Sequence, residues 1–540
     1  MVMEKTPIMR RAAPGLIILA LLGTSRPLAA GGADPLIRQT AHGKVEGMEA
    51  QSSFGGKAVG TWAWLGVPYA APPVGDLRWK APRPPADWDG VRPAREFSAI
   101  CVQYSGLMNS MDCENMGRLI GSEDCLYLNL WRPRTDAKGL PVFFWIYGGG
   151  NTVGQSSLNL YDGSNLAGPQ DLVVVTFNYR LGPLGWFAHP ALRTGDALDD
   201  SGNFGTLDIL AALNWVHDNI EDFGGDPGNV TIAGESAGGI NVFSMLACPP
   251  AAGRFHRAIV QSGLPFSNEL KSGEAKAGSV LTQLIMKDKL ASSSSDAEKY
   301  IHDQNNDGIA DYLRKKSPQE IMGCYRRVPF GNLLDSNMIF VDGRVIAGKP
   351  GRLLARGDYN RVPILAGNNR DEAKLFLPLL LSDLDDAKLC TMIQDMDPDH
   401  PQVSLRDYMG PFDQIVYNPL AKIGTAGFKL LGVNVPAGKM SRSQSDIFIY
   451  RFDWDEEPEP LDYVIGAGHG LDLAFVFGNF LGSKDSTLRF AWNQSNQAGR
   501  IELSERMMAY WANFARTGNP NGDGFPEWKP FPQTMILDTK

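Results

Sequence analysis

The sequence predicts an α/β protein with a large, mostly parallel central sheet and helices on both faces. Short, continuously apolar segments, typical of strands buried on both sides of a parallel sheet, recur along the chain. Helical stretches separate them. The clearest predicted helix covers residues 206–222 and ends at Gly224. The predicted sheet strands are 142–147, 172–178, 230–233, 258–261, 362–366 and 447–452.

The chain before these strands has a different pattern. Segments 43–48 and 61–67 are predicted to be short strands that form an antiparallel edge, because glycine-rich turns separate them. No long linker or internal repeat interrupts the rest of the sequence. We therefore expect residues 34–540 to form a single domain.

Composition and charge restrict the class of protein. With 43% hydrophobic and 21% charged residues, the chain has the composition of a globular enzyme with an ample core. Its formal net charge is −9 and its basic residues are dispersed. This charge distribution argues against a nucleic-acid partner.

The first 30 residues resemble a secretory signal peptide. Lys5, Arg10 and Arg11 precede an apolar run at 16–22, and small residues at 29–32 offer a cleavage site. The run is too short to span a membrane, and no cysteine follows it to carry a lipid. We expect a secreted or periplasmic protein without a stable membrane anchor. The alternative is an N-terminus that is disordered or membrane-associated and never removed.

The pentapeptide Gly234-Glu235-Ser236-Ala237-Gly238 is the first chemical signal. An apolar run precedes it and an apolar helical segment follows, so the pattern predicts a strand, a sharp turn and a helix. This context, more than the pentapeptide alone, identifies Ser236 as a candidate nucleophile at a helix N-terminus.

A nucleophilic serine also needs hydrogen-bond donors for the oxyanion. The strand predicted to end at Tyr147 leads directly into a run of three glycines, 148–150. Without side chains, their N–H groups are open to a substrate oxygen. We expect the oxyanion donors to be the N–H groups of Gly149, Gly150 and Ala237. A simple strand-to-loop turn is the alternative.

The base and the acid are sought after the serine in the chain. His469 lies in a glycine-flanked loop after the strand 447–452, whereas His400 lies in a polar turn. His469 is therefore the predicted base. The strand 362–366 leads to Asp371 and Glu372, and the residues alone leave the choice between these two acids open.

Further motifs occur in one order along nearly the whole chain after the signal segment. They are GVPYA at 66–70, RW at 78–79, EDCLYLN at 123–129, the glycines at 148–150, NYRLG at 178–182, FGGDP at 223–227 and GESAGG at 234–239. In these motifs the chain resembles the type-B carboxylesterases, a family that includes cholinesterases and secreted bacterial and fungal esterases and lipases. The resemblance implies an α/β-hydrolase fold and hydrolysis of small-molecule esters without a cofactor.

The resemblance also assigns individual residues. It assigns the role of the acid to Glu372 and not to Asp371. It also implies a disulfide between Cys101 and Cys125. It places Ser262 near His469, with a turn at a strand end as the alternative. The remaining four cysteines have no partners that the sequence indicates.

The chain departs from the family at the expected substrate pocket. Asn151 follows the triple glycine where the family usually has phenylalanine, which alters the pocket wall. The loop between the two paired cysteines lacks the tryptophan with which cholinesterases hold a quaternary ammonium, so choline esters are disfavoured. The resemblance places the segment that contains Met338 and Phe340 along the acyl side of the pocket.

One segment has the spacing of a calcium-binding loop. Asp303, Asn305, Asp307 and Asp311 occupy the first, third, fifth and ninth positions. The twelfth position is Arg314, where such a loop needs a bidentate glutamate. A turn that caps the following helix is the favoured interpretation.

Together these observations predict a serine carboxylic ester hydrolase with a Ser236, His469 and Glu372 triad. A lipase or an esterase for bulky natural-product esters is the alternative within the enzymes. A non-catalytic, cholinesterase-like binding protein is the alternative from another class.

Overall fold

The computed structural model describes residues 34–328, 331–381 and 384–539. The predicted signal peptide, residues 1–30, lies outside the described residues and stays a prediction. From Leu36 onwards the chain forms one compact unit. Within the described ranges, no helix is both long enough and apolar enough to cross a membrane.

A ten-stranded sheet forms the centre of the described chain. Its spatial order is β10-β9-β8-β7-β6-β4-β5-β3-β2-β1, with the strands numbered along the sequence. The six pairs from β5 to β10 are parallel, and the three pairs that join β5, β3, β2 and β1 are antiparallel. The strands are β1 Met48–Ser52, β2 Val59–Pro68, β3 Tyr127–Pro133, β4 Leu140–Ile146, β5 Val173–Phe177, β6 Gly225–Glu235, β7 Arg257–Gln261, β8 Ile364–Asn369, β9 Ile447–Phe452 and β10 Thr534–Leu537.

This architecture confirms the predicted fold class. Every residue of β4 and β5 is buried, which explains why both strands are continuously apolar. The predicted strand 43–48 is wrong as a single element. It breaks at Gly47, where a Cβ atom would lie 2.3 Å from the carbonyl oxygen of Ala63. Gly43–Glu46 pairs instead with Ile37–Thr40 and Val91–Pro93 in a separate small sheet.

Helices cover both faces of the sheet. The predicted helix 206–222 is observed as α3 and continues as a short 3-10 turn to Phe223, after which Gly224 has a φ of 80°. The α-helices are α1 Ser164–Gln170, α2 Gly182–Gly185, α3 Phe204–Asn219, α4 Ala237–Leu246, α5 Leu270–Lys287, α6 Ser294–His302, α7 Asn306–Lys315, α8 Pro318–Met322, α9 Pro350–Arg356, α10 Leu377–Leu381, α11 Asp386–Asp395, α12 Leu405–Tyr408, α13 Pro411–Phe428, α14 Val435–Met440, α15 Leu461–Val464, α16 Asp472–Phe477 and α17 Gln497–Thr517.

The topology determines where a site can form. The carboxyl ends of parallel strands meet at one edge of the sheet, and ligands of open α/β sheets bind at that edge. The triple glycine follows β4, Ser236 follows β6, Ser262 follows β7 and Glu372 follows β8. The candidate residues are therefore brought to the same edge by strands that are neighbours in the sheet.

Candidate active site

Ser236 lies in a strained turn between β6 and α4. Its backbone angles are φ 56° and ψ −119°, a conformation that is unfavourable for a residue with a side chain. The strain is typical of a turn that presents a nucleophile between a strand and a helix. Ser236 remains partly exposed, although both of its chain neighbours are buried.

The two glycines of the pentapeptide allow this turn to pack closely. A Cβ atom on Gly234 would lie 2.5 Å from the backbone carbonyl carbon of Gly238. On Gly238 it would lie only 2.0 Å from the carbonyl oxygen of Ile146, at the end of β4. Any side chain at these positions would push α4 away from the sheet, so the pentapeptide pattern has a steric cause.

The glycine loop after β4 lies directly against the serine turn. A Cβ atom on Gly148 would lie 3.1 Å from the Cβ atom of Ser236. Gly149 and Gly150 have φ values of 100° and 61°, which glycine adopts without strain. The predicted nucleophile and the predicted oxyanion loop are therefore neighbours.

His469 and Glu372 form a buried, hydrogen-bonded pair. The Nδ1 atom of His469 bonds to Oε2 of Glu372. The other carboxylate oxygen, Oε1, accepts from the Ser262 hydroxyl at 2.5 Å and from the Asn369 N–H at 2.7 Å. These bonds hold the Glu372 carboxylate in one orientation.

The structure also places the two residues about which the sequence left a choice. Asp371 bonds to the Arg370 guanidinium at 2.9 Å, whereas Glu372 contacts the histidine. Ser262 was expected near His469, and its hydroxyl bonds to the Glu372 carboxylate, which in turn bonds to the histidine. Its position at the end of β7, beside the end of β8, accounts for this contact.

The second imidazole nitrogen of His469 faces Glu235. Nε2 lies 3.0 Å from Oε1 of Glu235, which is ion-pair distance, and neither atom has another hydrogen-bond partner among the described residues. The ring centroids of Phe376 and Phe428 lie 5.2 Å and 5.6 Å from that of the imidazole. From the sequence, Glu235 is recognisable only as part of the pentapeptide, and its contact with the predicted base was not predicted.

Charge around the imidazole sets its pKa. Burial alone would lower the pKa of His469, but the Glu235 and Glu372 carboxylates outweigh burial and hold the pKa well above its usual value. Asp472 is a third buried carboxyl in the cluster, and its side chain accepts from Gln261 at 2.7 Å and from Tyr450 at 3.0 Å. Burial, reinforced by the charge of Glu235, raises the pKa of Asp472 to about 6.

A cavity of about 180 Å³ opens beside these groups. Gly148, Gly149, Glu235 and His469 form part of its wall. The remainder of the wall is mainly aliphatic and aromatic, and includes Leu107, Met108, Leu158, Leu160, Leu389 and Ile393. The cavity therefore suits an uncharged, apolar group next to the histidine.

The described part of the chain contains two disulfides. The Cys101–Cys125 bond is present, as the resemblance implied. A second bond joins Cys113 to Cys390, 277 residues further along the chain, and the sequence contained no signal for it. It links the loop that carries Leu107 and Met108 to α11, which carries Leu389 and Ile393.

The three residues predicted to form the substrate pocket, Asn151, Met338 and Phe340, do not line this cavity. Asn151 is buried and accepts from the Asn241 side chain at 2.8 Å, and its own amide lies 3.4 Å from the Met338 sulfur. Phe340 is fully buried, with its N–H donating to the Asn203 side chain at 2.7 Å. None of these three side chains is among the described residues that line the cavity.

The segment with calcium-loop spacing begins a helix. The Asn305 side chain accepts from the Gly308 N–H at 2.8 Å and caps α7. Asp303, Asp307 and Asp311 are exposed. In the described part of the chain, no group of three His, Cys, Asp or Glu side chains is arranged to hold a metal ion.

The sheet order and the positions of the serine, acid and histidine define an α/β-hydrolase fold. Residues 34–538 match the model of the carboxylesterase family. The chain belongs to this family and is a carboxylic ester hydrolase.

Individual relatives agree with this assignment. The chain is 33% identical to the para-nitrobenzyl esterase of Bacillus subtilis (strain 168), over 93% of this chain and 94% of the relative. It is 33% identical to the human cocaine esterase, over 96% of this chain and 89% of that protein. A solved structure named PNB esterase aligns with a TM-score of 0.69 at 30% identity, covering 94% of this chain and 96% of the other.

Proposed function

We propose that the protein hydrolyses carboxylic esters through an acyl-enzyme on Ser236. His469 acts as the general base and acid, and Glu372 orients the imidazole and stabilises its charged form. The N–H groups of Gly149, Gly150 and Ala237 bind the oxyanion. The observation that carries the proposal is the buried hydrogen bond between Glu372 and His469. His469 lines the same cavity as the glycine loop, and this loop lies against Ser236.

The reaction proceeds in two halves. The Ser236 oxygen attacks the ester carbonyl carbon while Nε2 of His469 takes the hydroxyl proton. The tetrahedral intermediate collapses, the bond to the alcohol oxygen breaks, and the imidazolium gives its proton to that oxygen. A water molecule, deprotonated by the same nitrogen, then attacks the acyl-enzyme. The acid leaves and the Ser236 hydroxyl is restored.

The hydrogen bonding of His469 supports this assignment. Nδ1 bonds to Glu372, and Nε2 has no hydrogen-bond partner among the described residues besides the Glu235 carboxylate. Nε2 lies next to Glu235, which directly precedes the serine. Catalytic hydrogen bonds are often formed only when substrate is bound, so we expect the bond between Nε2 and the Ser236 hydroxyl to form in the complex with substrate.

The cavity supports esters with an uncharged, apolar acyl or alcohol group. Among the described residues of its wall, Glu235 and His469 are the ones with charged side chains. A long apolar chain, as in a lipid ester, is the second candidate substrate. Initial rates on p-nitrophenyl esters of increasing chain length separate the two. A steep rise towards long chains favours a lipase, and a maximum at short or medium chains favours an esterase.

The cellular location of the protein is a further part of the proposal. We propose that the protein is exported, because residues 1–30 have the features of a signal peptide and two disulfides are present. N-terminal sequencing of the mature protein, isolated from its source, tests this. A mature chain that retains residues 1–30 contradicts it.

The nucleophile is tested by Ser236→Ala together with active-site labelling. We expect kcat to fall by about a millionfold while the melting temperature changes little. A fluorophosphonate should add one phosphonyl group to the wild type at Ser236, located by peptide mass spectrometry, and none to the variant. A label on another residue, or a variant that keeps its activity, contradicts the assignment.

A further inference from the structure

The helix α13 presents an apolar stripe to solvent. Phe412, Ile415 and Ile423 are 72%, 73% and 71% exposed, values that are unusual for large apolar side chains. Leu430, in the π-helical turn that continues α13, is 52% exposed. Scattered exposed apolar residues need no explanation, but a contiguous row of them marks an interaction surface.

The stripe is regular. Its members are exposed and follow one another at intervals of three or four residues, which places them on one face of the helix. None of them carries a charge. The same spacing forms the seam of helices that pack against a partner helix. The members are Phe412, Ile415, Pro419, Ile423, Ala426 and Leu430.

The opposite face of α13 packs against the rest of the chain. Tyr417 is fully buried, and its hydroxyl donates to the carbonyl of Lys374 at 3.0 Å. The Thr425 hydroxyl oxygen accepts from the Ala373 N–H at 3.2 Å. Since these contacts fix the rotation of the helix, the stripe is a surface of the folded protein.

The area of the stripe is close to what a stable dimer needs. At roughly 150–200 Å² for each large apolar side chain, the stripe with its flanking Leu420 and Leu431 exposes on the order of 600 Å². This value reaches the upper end of the largest patches on monomers, about 300–600 Å². It approaches the roughly 800 Å² that each partner contributes to a standard interface.

We propose that a second copy of this chain covers the stripe, with α13 packed against α13 of the partner in an antiparallel, two-fold arrangement. A two-fold axis brings the same patch of both copies together, which suits a stripe that is apolar along its whole length. A lipid surface fits less well. Lys422 and Lys429 are the only basic side chains on the exposed part of the segment 411–434, and the chain carries a net charge of −9.

Sedimentation velocity over a micromolar concentration series tests the proposal. We expect the full chain to sediment as a dimer. The double variant Ile415→Glu with Ile423→Glu should sediment as a monomer, with a dissociation constant raised by on the order of a hundredfold or more. The matched control is Leu290→Glu, because Leu290 is a 45% exposed leucine away from the stripe. The control should remain dimeric.

A failure of the dimer proposal can be distinguished from a failure of the esterase proposal, because sedimentation measures the mass of the particle and not ester turnover. If the double variant fails to fold, as judged by its thermal melt, the milder Ile423→Ala should still weaken the dimer. A wild type that stays monomeric across the series overturns the proposal. So does a dimer that survives both stripe variants, or a monomer that co-floats with phosphatidylcholine and phosphatidylglycerol vesicles.

Discussion

The imidazole of His469 is surrounded by more acid than its proposed role requires. Glu372 bonds to one ring nitrogen and Glu235 lies 3.0 Å from the other. Asp472 is buried in the same cluster. The Glu235 and Glu372 carboxylates favour the protonated ring, whereas a general base must be neutral to accept a proton. We therefore expect the carboxylates around His469 to set the acid limit of the pH range in which the enzyme is active.

Glu235→Gln tests this at a single residue. Because the Glu235 carboxylate raises the pKa of His469, its removal should lower that pKa. The acid limb of the profile of kcat/KM against pH should then move to lower pH. Asp371→Asn is the matched control, since Asp371 is a neighbouring carboxylate that pairs with Arg370. An acid limb that stays in place in Glu235→Gln, or moves equally in the control, contradicts the prediction.

Asp472 should make the folding stability depend on pH. Burial raises its pKa from 3.8 to about 6, so the folded protein binds this proton more tightly than the unfolded chain. The stabilisation is complete at low pH and is lost as the pH rises through about 6. Between about pH 4 and pH 7 the loss is up to about 3 kcal/mol.

The variant Asp472→Asn cannot titrate at this position. We expect the difference in free energy of unfolding between wild type and variant, measured by urea titration, to change across that pH range in favour of the variant. Parallel curves for the two proteins would show that Asp472 does not titrate there.

At the scale of elements, continuously apolar strands were easier to predict than strands that are very short or contain buried polar residues. The strand predicted at 447–452 has the observed limits of β9, because all its residues except Arg451 are aliphatic or aromatic and buried. The strands β3 and β10 were not predicted. β3 contains Asn129 and Arg132, which are buried with internal partners, and β10 is only four residues long. Periodicity does not reveal such strands.

The candidate site likewise contains some features that the sequence predicts and others that it does not. Ser236 and the glycine loop were predictable because the constraints on them are local. The contact of Glu235 with His469 depends on how a loop after β9 packs onto β6, and no spacing encodes it. The Cys113–Cys390 bond joins segments that meet only in the folded chain.

This second disulfide should stabilise the cavity wall. It joins the loop carrying Met108 to α11, and the Gln394 side chain adds a hydrogen bond of 2.6 Å to the carbonyl of Met111. We expect Cys113→Ser with Cys390→Ser to lower the free energy of unfolding by roughly 2–5 kcal/mol. The wall should also loosen, so kcat/KM for bulky esters should rise relative to that for small ones.

The control for this variant is Cys324→Ser, because Cys324 is a buried cysteine without a disulfide partner. It should leave the ratio of bulky to small ester turnover unchanged. Thermal melts and kinetics on a short and a bulky p-nitrophenyl ester supply both readouts. An unchanged ratio in the double variant means that the disulfide stabilises the fold without shaping the cavity.

At the scale of the whole molecule, α13 connects the proposed dimer surface to the site. Its outer face carries the apolar stripe. Its inner face supplies Phe428, 5.6 Å from the His469 ring, and the Thr425 oxygen that binds the N–H of Ala373, next to Glu372. A partner on the outer face restrains the helix, and the helix in turn restrains the acid and the base.

Specific activity should therefore depend on protein concentration. As the enzyme is diluted through the dissociation range found by sedimentation, kcat should fall, because the base and its acid are less firmly positioned in the monomer. Ile415→Glu with Ile423→Glu should show the lower value at every concentration, and Leu290→Glu should follow the wild type. A constant kcat through the dissociation range would mean that the two faces of α13 act independently, since the loss of a partner from one face would then leave the other unchanged.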